Sequence, residues 1–231
     1  MLEAFGQQIW IADGPVVTGQ AGFQFPTRMA LIRLRSGALL LWSPVALAGG
    51  LGAEVDALGP VRFLVAPNTL HHSFLGDWQR AYPQAEAWGV AELARQRPDL
   101  RLDGIIDGGA PLPWAGDLEQ VVVSGNAITT EAVFFHPASG TVLFCDLLQQ
   151  FPSSWFRGWR AIVARLDLMV GDEPAVPRKF RLAQTDRGVA RQAFQQILAW
   201  PARQVLMAHG RPVTETARPF LDRAFAWLLR R

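Results

Sequence analysis

The sequence predicts a layered α/β fold in which two mixed β-sheets are flanked on the outside by helices. Two observations indicate this class. Strand-like apolar runs are followed by helical patterns, and the same succession then recurs, so that helices are available to cover two sheets. In addition, all four histidines follow strand-like runs, at the strand ends where α/β folds place functional residues.

The composition is that of a globular protein. Of the 231 residues, 50% are hydrophobic and 18% are charged, and we expect one domain over residues 1–231. The net charge of +2 comes from dispersed arginines, which form no stripe for nucleic acid. No secretory signal or membrane span is visible, and the single Cys145 fits a reducing compartment as a small buried hydrophobe. We therefore expect a cytoplasmic protein that acts on a small molecule, with no nucleic-acid or membrane partner and an oligomeric state left open.

The first half of the chain alternates short strands and short helices. The predicted strands cover residues 8–12, 29–35, 38–42, 61–66 and 85–88, and the predicted helices cover 50–58, 74–81 and 91–96. The Gly-rich segment GPVVTGQAGFQFPTR between the first two strands is expected to be an irregular loop or a ragged strand. Its Arg28 forms an ordinary salt bridge or, as the less favoured alternative, holds an anion.

The second half begins with a Gly- and Pro-rich connection over residues 102–118. Strands are predicted at 118–123, in the hairpin EAVFFHPASGTVLFCDLL at 131–148, and at 203–208. Helices are predicted over 155–166, 177–200 and 214–231. The first of them carries an apolar stripe that we interpret as a core face in preference to a membrane or partner surface, formed by Trp155, Phe156, Trp159, Ile162, Val163 and Leu166.

Histidines and one aspartate meet at the predicted strand ends. The hairpin can bring His136 and Asp146 to the same rim, His71 and His72 follow the strand at 61–66, and His209 follows the last strand. Imidazole and carboxylate are ligands of zinc, manganese and iron. For the hairpin alone, a satisfied histidine and a turn-capping aspartate are the alternative. The whole histidine set favours a metal site built from three loops.

The order of these motifs resembles the metallo-β-lactamase fold superfamily over nearly the whole chain. The segments FPTRM, SPV, VAPNTLHH and FFHPASGTVLFCDLL look most like an uncharacterised branch, domain of unknown function 4336. The resemblance implies an αββα sandwich with a metal site at one edge, in a superfamily whose members hydrolyse esters, thioesters, lactams or phosphodiesters.

The resemblance also assigns roles to individual residues. His72 matches the last His of the motif H-x-H-x-D-H, His136 the hairpin His, Asp146 the bridging carboxylate and His209 the final His ligand. Pro67 and Thr69 stand at the positions of the first two motif histidines, and His71 stands at that of the motif Asp. The motif is therefore degenerate, which favours one metal ion over two.

We accordingly expect a metal-dependent hydrolase with a reduced, mononuclear site. One divalent ion, zinc first and iron or manganese otherwise, is held by His72, Asp146 and His209, and it activates water for attack on the substrate. His71 or His136 is the fourth ligand or the acid/base group. Two alternatives remain open: a degenerate scaffold that binds a ligand or a partner and no metal, and an iron-dependent oxidoreductase.

Overall fold

The computed structural model describes residues 1–107, 109 and 111–229 and contains a seven-stranded sheet. The strands from β1 to β4 pair antiparallel, and those from β4 to β7 pair parallel. In chain order, which is also their order in space, they are β1 (Glu3–Gly6), β2 (Ile9–Thr18), β3 (Gln24–Arg33), β4 (Leu39–Trp42), β5 (Val61–Ala66), β6 (Glu86–Gly89) and β7 (Gly104–Ile105).

The second sheet has four strands, β8 (Glu119–Val123), β9 (Glu131–His136), β10 (Thr141–Gln149) and β11 (Gln204–His209). Their order in space is β11-β10-β9-β8, with β10 and β11 parallel and the other pairs antiparallel. Both sheets are therefore mixed, as the sequence predicts.

Helices lie on the outer face of each sheet. Side chains of α1 to α3 join the core of the first sheet, and side chains of α5 to α8 pack on the second sheet. The helices are α1 (Leu51–Asp56), α2 (Leu75–Ala81), α3 (Ala91–Gln96), α4 (Trp159–Leu166), α5 (Arg178–Ala183), α6 (Arg187–Ala199), α7 (Ala217–Ala224) and α8 (Ala226–Leu229). Among the described residues, no helix has the length and apolarity needed to cross a bilayer.

Alternation along β9 and β10 builds two cores. Phe134 and Leu143 belong to the core between the sheets, whereas Phe135 and Phe144 belong to the core under the outer helices. Each fully buried side chain of this size is worth about 1.5–3 kcal/mol. The β9–β10 hairpin is therefore sandwiched between two apolar layers, and the αββα arrangement is confirmed.

The Gly-rich segment after β1 is more regular than expected. β2 extends to Thr18 and β3 starts at Gln24, with a register shift between Gly14 and Val17. Such a bulge accommodates Pro15, which cannot donate a ladder hydrogen bond. Arg28 forms the expected salt bridge, with its Nε 2.6 Å from Asp13 Oδ1.

Two predicted helices are interrupted. The helix expected over 177–200 is split into α5 and α6, and Asp186 Oδ1 caps the second by accepting from Val189 N at 3.0 Å. The C-terminal helix begins at Ala217 and is divided near Phe225, and its last two predicted residues lie outside the described part.

The apolar stripe at 155–166 is not a core face, contrary to the sequence interpretation. Phe156 is buried, but 36–61% of each of the other five residues is exposed. The side of α4 that faces the protein carries Ala161 and Ala164 instead. Periodicity identified the amphipathic helix correctly but could not say which side of it is covered.

Candidate metal site

His71, Asp146 and His209 converge at one edge of the sandwich. His71 lies in the loop after β5, Asp146 in β10 and His209 at the end of β11. The Nε2 atoms of the two histidines are 3.1 Å apart, and they lie 3.3 Å (His71) and 3.6 Å (His209) from the Asp146 carboxylate oxygens. Three donor atoms from three segments thus lie within 4.8 Å of one another.

Asp146 reaches this position because β10 bulges. Phe144 pairs with Met207 and Gln149 pairs with His209, so five positions along β10 match two along β11. The extra residues push the chain out of the parallel ladder and leave backbone N–H groups without strand partners. Asp146 therefore lies within a strand that continues to Gln149, and not at the strand end expected from the sequence.

Glu131 satisfies those backbone groups. Its Oε1 accepts from Cys145 N at 2.8 Å, and its Oε2 accepts from Asp146 N at 2.8 Å and Leu147 N at 3.1 Å. Burial and the nearby Asp146 charge raise the pKa of Glu131 to about 7, although the three N–H donors act in the opposite direction. The buried Glu131 carboxylate therefore stabilises the bulge in β10 by accepting hydrogen bonds from its backbone.

Asn68 connects two of the converging residues. Its Oδ1 accepts from Leu70 N at 2.9 Å and from His71 N at 2.8 Å, which bends the loop after β5. Its Nδ2 donates to Asp146 Oδ2 at 2.8 Å and to Glu131 Oε2 at 3.3 Å. One fully buried amide thus fixes both the loop of His71 and the carboxylate of Asp146.

The Nδ1 atoms of His71 and His209 also have hydrogen-bond partners. His209 Nδ1 donates to the carbonyl oxygen of Pro26 at 2.7 Å, and His71 Nδ1 is 2.7 Å from Ser43 Oγ. Burial lowers the pKa of His209, although the neighbouring Asp146 carboxylate acts in the opposite direction. A neutral His209 that donates from Nδ1 carries a lone pair on Nε2, and this lone pair is directed at the cluster.

The charge on the carboxylate is well defined. Burial alone would raise the pKa of Asp146, but the imidazoles of His71 and His209 hold it well below its ordinary value. Asp146 is therefore ionised at neutral pH. Gln149 Nε2 also donates to Asp146 Oδ1 at 2.9 Å, whereas its buried Oε1 has no partner within the described chain.

These residues fit a single divalent ion. Donors on a tetrahedral zinc ion with bonds of about 2.0–2.1 Å stand roughly 3.3 Å apart. The two Nε2 atoms are 3.1 Å apart, and His71 Nε2 is 3.3 Å from Asp146 Oδ2, whereas His209 Nε2 is 3.6 Å from the other oxygen, Oδ1. The lone pair on His209 Nε2 and the ionised carboxylate are the donor chemistry that such an ion requires. The unpartnered Gln149 Oε1 is an acceptor suited to a water held beside the ion.

His72 lies outside the cluster, so the structure differs from the predicted ligand set. Its Nδ1 accepts from Arg97 Nη1 at 2.7 Å, and burial together with the Arg97 charge lowers its pKa. Neighbouring side chains on an extended segment point in opposite directions. Because Asn68 turns His71 inward, His72 points away, and the position that resembled the motif Asp is the one that reaches Asp146.

His136 is also remote from the cluster. It pairs with Thr141 at the turn of the hairpin, five residues along β10 from Asp146, which corresponds to roughly 16 Å of strand. Its Nδ1 lies 2.8 Å from Ser139 Oγ, and burial lowers its pKa. The expected shared rim is therefore not formed, because an antiparallel hairpin places residues equidistant from the turn opposite each other.

The remaining residues considered from the sequence make structural contacts and are not part of the cluster. Thr69 Oγ1 is 3.0 Å from Thr129 Oγ1, and the carbonyl oxygen of Pro67 accepts from Ala132 N, so neither motif position offers a ligand. Asp77, a carboxylate on the surface of α2, is exposed and pairs with Arg80. Cys145 is buried in the core between the sheets, as expected.

Sequence reasoning missed four residues that hold the cluster: Ser43, Asn68, Glu131 and Gln149. A signal existed for Glu131, because continuing the pairing of His136 with Thr141 places residue 131 opposite residue 146. Another existed for Ser43, which directly follows the apolar run of strand β4; its left-handed φ of 54° is visible only in the structure. Neither residue is a histidine, so a search that starts from the histidines does not select it.

Solved structures with the same fold include metallo-β-lactamases and a flavodiiron core. The metallo-β-lactamase from Pontibacter korlensis matches with a TM-score of 0.64 and 12% identity, over 100% of this chain and 99% of that one. The mono-zinc form of the metallo-β-lactamase FIM-1 from Pseudomonas aeruginosa matches with a TM-score of 0.61 and 14% identity, over 97% and 95%. The Flv1 flavodiiron core from Synechocystis sp. matches with a TM-score of 0.65 and 13% identity, over 99% of this chain and 60% of that one. The chain thus has the metallo-β-lactamase fold.

The family assignment follows from the sequence. Residues 7–157, more than half of the chain, match the family described as Domain of unknown function (DUF4336), and the chain belongs to this family. No curated protein sequence matches it. The resemblance stated from the sequence motifs is confirmed.

Proposed function

We propose that the chain is a metal-dependent hydrolase with one divalent ion bound by His71, Asp146 and His209. The observation that carries the proposal is the cluster itself: two imidazole Nε2 atoms and a carboxylate separated by 3.1–3.6 Å. This ligand set keeps Asp146 and His209 from the sequence prediction and replaces His72 by His71. Three protein ligands leave room for water, as in catalytic zinc sites.

When bound, a divalent ion would supply Lewis-acid activation of a water molecule. The chain's own residues prepare that site. Asp146 contributes the negative charge, and His209 is fixed in orientation by the Pro26 carbonyl group. With its Nε2 used as a ligand, His71 carries its proton on Nδ1 and donates it to Ser43 Oγ.

The acid/base roles expected of His71 and His136 need another assignment. His71 is a ligand in this proposal, and His136 is at the far end of the hairpin. Asp146 supplies the ionised carboxylate as a ligand, and Gln149, which donates from Nε2 to Asp146 Oδ1 at 2.9 Å, would offer its unpartnered Oε1 as a hydrogen-bond acceptor beside it.

An iron-dependent oxidoreductase is the second candidate. Two histidines and one carboxylate form the ligand set of many non-haem iron(II) sites, and this composition is the specific observation that favours it. The identity of the metal separates the two candidates, since zinc supports hydrolysis and has no redox chemistry.

Elemental analysis by inductively coupled plasma mass spectrometry tests the proposal. The untagged protein is expected to bind about one equivalent of metal, and His71→Ala and Asp146→Asn are expected to lose it. The matched control His72→Ala removes the neighbouring histidine and is expected to keep the metal. No bound metal after reconstitution, or equal loss in the control, would refute the ligand assignment and favour a scaffold that binds a partner.

Activity is tested on the metal-loaded protein. Ester, thioester and phosphodiester substrates are screened with the wild type and with Asp146→Asn as the inactive reference. Hydrolysis that requires Asp146 supports the first candidate, whereas bound iron that reacts with oxygen, without hydrolysis, supports the second.

A further inference from the structure

Five large apolar side chains form one exposed surface beside and along α4. The exposed fractions are 36% for Trp155, 52% for Trp159, 61% for Ile162, 40% for Val163 and 60% for Leu166. We call this set the α4 face. A contiguous run of this kind differs from isolated exposed hydrophobic residues, which are common and need no explanation.

The orientation of α4 is the reverse of that of an ordinary surface helix. At about 100° per residue, Trp159, Ile162, Val163 and Leu166 fall on one side of the helix. Ala161 and Ala164 fall on the opposite side and pack against a small aromatic core. The helix therefore packs on the core through its two alanines, and the Trp159 ring also contacts Phe23 at 5.7 Å between ring centres. Ile162, Val163 and Leu166 are directed outward.

Arginines flank the α4 face. On the same helical projection, Arg160 and Arg165 lie on either side of the apolar stripe, and Arg157 precedes the helix. The Arg160 guanidinium lies 4.7 Å from the Trp159 ring centre and donates to the carbonyl oxygen of Ala21 at 2.9 Å. Residues 151–166 include no acidic side chain, and the next carboxylate, Asp167, is paired with Lys179 at 3.0 Å.

We propose that the α4 face binds the surface of an anionic lipid bilayer. Apolar residues including tryptophan, bordered by arginines that can reach the headgroups, are the features of helices that lie in a membrane interface. The charges favour anionic lipid over a second copy of the chain, because two copies meeting through this face would bring Arg157 and Arg165 against the same cations of the partner. The sequence-based expectation of no membrane partner took this stripe to be buried.

A row of packed aromatic rings connects the α4 face to the candidate metal site. Aromatic rings in contact at centre distances of 5.1–6.1 Å lead inward from Trp159 through Phe23, Phe156, Phe151 and Phe25 to His209. The proposal does not depend on metal binding or on hydrolysis, since it rests on α4 alone.

Vesicle co-sedimentation of the full chain tests this inference. The wild type is expected to bind phosphatidylcholine vesicles that contain phosphatidylglycerol, to bind pure phosphatidylcholine weakly, and to dissociate as salt is raised. Combining Ile162→Ser with Leu166→Ser should weaken binding at least about tenfold, because it removes two of the inserted apolar groups. Combining Arg157→Gln with Arg165→Gln should remove the preference for anionic vesicles.

Matched controls carry the same exchanges elsewhere on the surface. Val16→Ser with Val189→Ser alters two exposed valines outside the α4 face, and Arg62→Gln with Arg95→Gln alters two exposed arginines. Both controls should bind like the wild type, and thermal unfolding checks that all variants fold. The proposal is overturned if anionic vesicles do not bind or if variants and controls bind equally. It is also overturned if light scattering shows a dimer that the Ile162/Leu166 variant abolishes while vesicles remain unbound.

Discussion

Glu131 lies opposite Asp146 across the β9–β10 hairpin, and its buried carboxylate accepts hydrogen bonds from the backbone of Asp146 and of both flanking residues. The bulge that presents the Asp146 side chain to the two histidines is thus supported from the other side by a second carboxylate. Asn68 donates to both carboxylates and joins them to the loop of His71.

Glu131→Gln should lower the free energy of unfolding by about 2 kcal/mol, because the amide replaces one acceptor oxygen with an NH₂ group facing backbone donors. It should also weaken metal binding, since Asp146 loses its support. Urea denaturation and metal titration measure the two effects. Glu92→Gln, at an exposed site on α3, is the control and should change neither quantity.

Asn68→Ala should reduce metal affinity by about 10- to 100-fold, the usual effect of removing a group that orients metal ligands. The control is Asn126→Ala. Asn126 makes the same kind of turn, with Oδ1 accepting from Ile128 N at 3.0 Å, but it is bonded to Phe180 O and not to the cluster. Both variants should lose stability, and only the first should lose metal affinity. Equal metal affinity in the two would contradict a positioning role for Asn68.

His136→Gln should keep the metal and reduce the sensitivity of the protein to acid. Burial lowers the pKa of His136 below its ordinary 6.5, so the folded state binds fewer protons than the unfolded state in this range. The contribution of this lowered pKa to the free energy of unfolding is fully present above pH 6.5. It is lost as the pH falls through the pKa of His136 in the folded state. Unfolding free energies at about pH 7 and pH 5 should differ less in the variant than in the wild type. An unchanged difference, or loss of the metal, would count against this assignment.

Tyr82, the single tyrosine of the chain, should ionise with a pKa of about 12. Burial raises this pKa, and the hydrogen bond from Tyr82 Oη to Asp56 Oδ1 at 3.0 Å raises it further. The raised pKa of Tyr82 contributes to the free energy of unfolding. This contribution is fully present below pH 10.0, the ordinary tyrosine pKa, and is lost as the pH rises through the pKa of Tyr82 in the folded state. Spectrophotometric titration of tyrosinate measures it directly, and Asp56→Asn should move the midpoint back toward 10. A wild-type midpoint near 10 would contradict the prediction.

Local pattern was sufficient for most of the secondary structure. Continuous apolar runs located the strands that form β9, β10 and β11, which are buried on both faces, and helical spacing located α4 and α6. Local pattern did not predict the break between α5 and α6 at Gln184. There the Gln184 side chain is hydrogen-bonded to the Asn126 side chain and to the carbonyl oxygen of Ser124. Such contacts join residues about sixty positions apart and therefore produce no periodic pattern in the sequence.

By itself, the sequence determined the layered class, the family and the presence of Asp146 and His209 in one site, since these depend on period and on motif order. Tertiary structure alone decided which of His71 and His72 turns inward, that Glu131 and not His136 faces Asp146, and that α4 exposes its apolar side. The physical reason is the same in each case. A repeat along the chain specifies spacing, whereas direction and register are set by distant partners such as Asn68, the bulge in β10 and the small core beneath Ala161 and Ala164.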